Sequence, residues 1–280
     1  SILAKTDFII DKDKKLTLSI DYWLEEVELP DNGEDHGNYF GLNGWTINER
    51  SATNEKENNS YKVRYQDKDV GLAIMDNLDL NVYLNSSDQT DETLLNHDTP
   101  EPMGPGGYRD TVRSTLFDQE TVGVSLTASK IFGANRSHQL SYGVDWDSSD
   151  TFRPIRETRT QSDGTVIKDD LSAPFPKNST ERVGLYLQDN IQLTDKWTLT
   201  PGVRYDYYRM DPKADEGYDS VNPGGENAPE KISDDNASWR LGTVYKFTDD
   251  FTAYFQYSQG FKVPPYDLAY FYYDHFIVTP

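Results

Sequence analysis

The 280 residues include 48 acidic and 27 basic side chains, a formal charge of −21 at neutral pH, which disfavours nucleic acid and anionic lipid headgroups as partners. There is no cysteine, which excludes disulfides and thiolate metal sites. Mean hydropathy is −0.77 beside 13% aromatic residues, so the apolar atoms belong on narrow faces, and no run approaches the roughly 18 apolar residues of a membrane helix.

Strict alternation dominates the chain. It begins at Leu16, Leu18, Ile20, Tyr22 and Leu24, set against Thr17, Ser19, Asp21 and Trp23. It returns at Leu78, Leu80, Val82 and Leu84, at Val122, Val124, Leu126 and Ala128, and at Leu140, Tyr142, Val144 and Trp146. Period two places apolar residues on one face of a strand and polar residues on the other. Val183, Leu185, Leu187, Ile191 and Leu193 then oppose Gly184, Tyr186, Gln188, Asn190 and Gln192. After Thr194-Asp195-Lys196, the series Trp197, Leu199, Val203, Tyr205, Tyr207 opposes Thr198, Thr200, Gly202, Arg204, Asp206. Strands are also expected over Ala237–Phe247 and Phe251–Phe261. Asp189, Pro201 and Val244 break the pattern.

About ten strands result, most near the roughly 9–11 residues that cross a bilayer as tilted β. Short connections fall at Asp11–Lys14, Asp67–Asp76, Gly133–Ser137, Thr194–Lys196 and Thr248–Asp250. Long ones fall at Glu28–Asn59, Ser86–Arg113, Ser148–Glu181, Asp211–Asp235 and from Lys262 onward. This short–long rhythm predicts an all-β fold, an antiparallel transmembrane barrel with tight turns on one side and long loops on the other. Lipid offers backbone groups no partner, so the strands must pair side by side, apolar outward, with the lumenal face free to be polar. Tyr22, Trp23, Trp197, Tyr207, Tyr208, Phe247 and Phe251 are expected in interfacial girdles. A soluble β-sandwich or solenoid would share the alternation but not the rhythm.

Two segments carry a family resemblance. GLYLQDNIQLTDKWTLTPGVRYDYY (residues 184–208) and YFQYSQGFKVPPYDLAYF (residues 254–271) resemble TonB-dependent outer-membrane receptors. Phe261-Lys262-Val263-Pro264 is similar to the family's Phe-Arg-Ala-Pro box, keeping Phe and Pro and departing at Lys262 and Val263. The resemblance implies a barrel of about 22 strands around a plug. Residues 1–280 would be part of that barrel, with plug and closing C-terminal strands absent, and the chain is not expected to fold alone because two open edges invite aggregation. The implied place is the outer membrane of a Gram-negative bacterium, in contact with its lipid. The implied partner is the TonB–ExbB–ExbD energy-coupling complex, reached through the plug, which Gln188, Arg204, Asp206 and Arg240 would touch from the lumen wall.

Within the family, the haem and haemoglobin receptors carry a haem-ligating histidine after this box, and His275 stands in that interval. The resemblance therefore implies uptake of haem or haem-protein iron, with His275 on the iron. Imidazole suits ferric or ferrous haem as an axial ligand. Tyr266, Tyr272 and Tyr273 supply flat surface for a porphyrin, and Asp274 a neighbour able to orient the ring. No resident cofactor is expected; haem is cargo. The rival readings are a receptor for a ferric siderophore or other chelate, and an adhesin-like surface β protein without transport.

Other candidates are weaker. His36 lies in an acidic Gly/Asn stretch, and His97 and His138 fit no ligand pattern. Asp31–Asp35, Asp147–Asp150 and Asp234-Asp235 lack the spacing of a calcium loop. Ser137-His138 is the one adjacent Ser/His pair and would sit in a short turn, so no enzymatic activity is expected.

Overall fold

The computed structural model describes residues 1–30, 37–38, 46–99, 107–161, 163–213, 217–218 and 229–263. Among the described residues, thirteen strands form one sheet: β1 (Ile2–Ile9), β2 (Lys14–Leu29), β3 (Gly37–Asn38), β4 (Thr46–Asp67), β5 (Asn77–Thr99), β6 (Gly107–Phe132), β7 (His138–Phe152), β8 (Ile155–Gln161), β9 (Val166–Ser172), β10 (Lys177–Thr194), β11 (Trp197–Lys213), β12 (Ile232–Lys246) and β13 (Thr252–Ser258). The continuous path is β1-β2-β4-β5-β6-β7-β10-β11-β12-β13, and β3, β8 and β9 lie off it. Each pair is antiparallel; the sheet is not closed, with β1 and β13 as its edges.

The register fixes the two faces. Leu16, Tyr65, Leu80, Leu126, Val144, Leu185, Tyr205 and Ala237 form one cross-strand row, and Leu18, Val63, Val82, Val124, Trp146, Val183, Tyr207 the next. These rows stay open: Leu185 is 49% and Val82 42% exposed. An apolar expanse on this scale is not what a soluble surface presents; it is the outward, lipid-facing side of a partial transmembrane barrel.

The strands outrun the membrane. β4, β5 and β6 have 22, 23 and 26 residues, about twice a tilted crossing. Their outward rows change from Tyr61, Leu84 and Val122 to Glu57, Asp88, Asp118 and Glu120 toward the long-loop end. The stretch expected as a loop over Ser86–Arg113 is therefore mostly ladder, from Ser86↔Glu120 to Thr99↔Gly107, and Leu29↔Ala52 to Tyr22↔Asn59 likewise fills much of Glu28–Asn59. Ser148–Glu181 contains the β8–β9 hairpin, with β8 seated on the edge of β6. Outside lipid neither face needs to be apolar, so the alternation fades while backbone pairing, already in register, continues.

The short connections fall where the pattern placed them. The turn between β6 and β7 holds a 3-10 segment, Ala134–Arg136, entered through Gly133 at φ +86°, which the missing Cβ permits. β13 is shorter than expected, ending at Ser258 rather than Phe261. Tyr208 and Trp23 share the inward parity, so neither belongs to an outer girdle: Tyr208 is buried and Lys56 lies over the Trp23 ring at 5.6 Å. Among the described residues, one buried apolar cluster forms at the long-loop end, around Tyr208 and Met210, and Ala128 is fully buried near the short turns.

Candidate ligand-facing wall

The inward face of β7 and β10 to β13 is polar and internally paired. Arg204 donates from Nη1 to Asp145 Oδ2 at 2.9 Å, across β10 onto β7, and from Nε to Asp206 Oδ1 at 2.7 Å. Arg182 Nε donates to Asp147 Oδ1 at 2.7 Å. Arg240 donates to the Gln188 side-chain oxygen. Large residues reach diagonally because glycines on the next strand leave room: a Cβ at Gly184 would meet the Arg204 guanidinium, and one at Gly143 the Tyr186 ring. Gln188, Arg204, Asp206 and Arg240 thus lie on the inner wall, as their parity predicts. The partnership of Asp145 with Arg204 escaped the pattern, since parity gives the face but not which strand a long side chain will reach.

Above this wall the chain turns inward after β13. Gln259 N donates to Trp239 O at 3.0 Å, one last step of pairing. Phe261 then sets its ring 6.0 Å from that of Tyr208, and Met210, Ile232 and Val263 complete the contact. Of the box residues, Phe261 and Val263 are half-buried and Lys262 is exposed. Phe261 and Val263 border the concavity that Asp145, Arg182, Arg204 and Asp206 also line. Pro264, Tyr266, Tyr272, Tyr273, Asp274 and His275 lie outside the described residues, as do His36 and Asp31–Asp35.

The remaining candidates have structural partners. His97 is buried, its Nε2 3.3 Å from Thr111 Oγ1. His138 pairs through Nδ1 with Asp189 Oδ2 at 2.7 Å and stacks on Phe132 at 4.9 Å, so its ring is committed across the sheet rather than to Ser137. Asp147 is held by Arg182, and the Asp234 carboxylate accepts from Asp235 N. Among the described residues, no three His, Asp or Glu side chains are grouped to hold a metal ion.

Comparison with known proteins fits this wall. Residues 8–279 match the family model "TonB dependent receptor-like, beta-barrel". The chain belongs to the TonB-dependent receptor β-barrel family. A relative described as an uncharacterized TonB-dependent receptor of Haemophilus influenzae is 28% identical over an alignment covering 39% of this chain and 34% of that protein. Two solved structures share the fold. The copper transporter OprC has a TM-score of 0.52 at 13% identity, over 84% of this chain and 38% of that one. The P. aeruginosa receptor FpvA, solved with an iron-bound pyoverdine, has a TM-score of 0.51 at 16% identity, over 90% and 34%. The chain spans little more than a third of the length of these relatives.

Proposed function

We propose that this chain forms part of the wall of an outer-membrane, TonB-dependent receptor for active uptake of haem or haem-protein iron. Family membership and the lipid-facing belt support the receptor and its place in a Gram-negative outer membrane. In that setting the short turns face the periplasm and the long loops the outside. The observation that carries the haem reading is the Phe261–Pro264 box, with Phe261 packed on Tyr208 at the inner wall. His275 follows that box in the sequence and would supply an axial imidazole while Tyr266, Tyr272 and Tyr273 flank the porphyrin. Energy would come from TonB–ExbB–ExbD through a plug outside residues 1–280, the plug resting on the Arg204 and Arg240 network. The test is titration of the full-length receptor with haem, followed at the Soret band. His275→Ala should shift the band and lower affinity at least about tenfold, the loss of one coordinate bond; an unchanged band and affinity would remove His275 from the account.

A ferric chelate is the second reading, favoured by the fold shared with a pyoverdine-bound receptor. Iron-starved cells that depend on this receptor should grow on haem; growth on a ferric siderophore alone would select this second reading.

A further inference from the structure

The connection between β4 and β5, residues 68–76, is unlike the other short turns. Its centre, Val70-Gly71-Leu72-Ala73-Ile74-Met75, carries no charge in a chain of net charge −21. It is held, not loose. Asp76 N donates to Ser129 O at 2.7 Å, and the Asp76 carboxylate accepts from Ile131 N at 2.8 Å and Lys130 Nζ at 2.7 Å. Lys130 Nζ also reaches Leu72 O at 3.2 Å, and Tyr142 Oη donates to Ile74 O at 2.8 Å. Gly71, at φ +68° with open space around it, makes the reversal.

Those anchors decide the direction. Tyr142 pairs with Ala128, and Lys130 with Leu140, in the same outward parity as Leu126, Val144 and Trp146. The turn is therefore folded over the outer surface of the β6–β7 hairpin, not hung into water or into the lumen. Leu72 and Ile74 nevertheless remain 52% and 64% exposed. They continue the lipid-facing belt at the end where Phe132, Trp197, Phe247 and Phe251 also stand exposed. Lys130 and Tyr142 satisfy the carbonyls of Leu72 and Ile74, the kind of side-chain partner that irregular backbone needs at this depth.

We propose that Val70–Met75 is a membrane-inserted apron, placing Leu72 and Ile74 among phospholipid acyl chains of the periplasmic leaflet with Lys130 at headgroup level. This rests on the fold and stands whatever the cargo. The test uses full-length receptor in vesicles of phosphatidylethanolamine and phosphatidylglycerol. Leu72→Cys and Ile74→Cys carry an environment-sensitive fluorophore, with Asp195→Cys, in the tight β10–β11 turn, as comparison. Labels at 72 and 74 should lose emission to doxyl-labelled lipid and resist aqueous iodide, whereas a label at 195 should do the reverse. Quenching of 72 and 74 by iodide would put the turn in water and overturn the proposal. Protection from both quenchers would mean that protein covers it, and would overturn the proposal equally.

Discussion

The ring of Tyr186 lies over Gly143 on the neighbouring strand, and its hydroxyl meets Thr127 Oγ1 one strand further on, at 2.5 Å. One residue thus ties β10, β7 and β6 on the inner face. Tyr83 stands in the same relation to Gly123, and Arg204 to Gly184. The glycines weaken their strands intrinsically, but they give tall inner side chains somewhere to lean.

This arrangement ranks substitutions. A Cβ at Gly143 would collide with the Leu126 carbonyl oxygen as well as the Tyr186 ring, and backbone cannot swing aside. At Gly184 the obstacle is the far end of Arg204, which can move at the expense of its bond to Asp145. Gly143→Ala should cost about 1–3 kcal/mol, the usual range for overpacking, and Gly184→Ala clearly less. Urea unfolding of the full-length receptor in detergent would measure both; equal midpoints would refute the ranking.

How much of this was written in the sequence can be judged residue by residue. Alternation at Val183–Leu193 and Trp197–Tyr207 gave the strands, their faces and the turn between them, because lipid on one side and water on the other enforce period two. Glu57, Asp88 and Glu120 mark where that ceases: beyond them both faces meet water, the period fades, and strands read as loops. The inner wall was half legible. Parity put Arg204 and Asp206 inside, yet Asp145 became a partner through tilt and reach, which no linear pattern encodes. The box was legible as a motif, but not its packing of Phe261 on Tyr208, a contact between residues far apart in the chain. His275 and the tyrosines around it were reached through resemblance alone.

The β8–β9 hairpin, beyond the membrane-spanning segments, should respond to acid. Arg156 holds Asp169 through Nε at 3.0 Å and Nη2 at 3.1 Å, and that hydrogen bond, more than the charge attraction, keeps the Asp169 carboxyl below its ordinary range. Asp163, at the hairpin tip, is lowered in the same way by the Thr165 N–H. A carboxylate lowered by folding adds stability above its unfolded pKa and loses it as pH falls through the folded value. Amide exchange in 155–172 should therefore be slow near neutrality and speed up, relative to the intrinsic rate, below about pH 4. Asp169→Asn should weaken that acid response. Because the pair is exposed, the effect belongs to the hairpin and not to the barrel; a pH-independent protection factor would contradict this.

The two residues that break the alternation on β10 and β11 face each other. Pairing runs to Gln188↔Gly202 and resumes only at Ile191↔Leu199, leaving Asp189 opposite Pro201, which has no N–H to give. Asp189 shares the outward parity of Leu140, its partner on β7, so a carboxylate stands on the lipid-facing side near the short-turn end. His138 answers with Nδ1 at 2.7 Å, while Oδ1 of Asp189 is buried without a partner. An ionised group at such a site is costly unless it is paired, and removing one partner strands the other. His138→Leu should therefore destabilise by about 2–4 kcal/mol, whereas His138→Leu with Asp189→Leu should recover most of that loss, since replacing both partners of such a pair with apolar groups is often neutral or better. Thermal unfolding of the full-length receptor in detergent would decide it: a double variant no more stable than His138→Leu alone would mean that Asp189 is held by something other than the histidine.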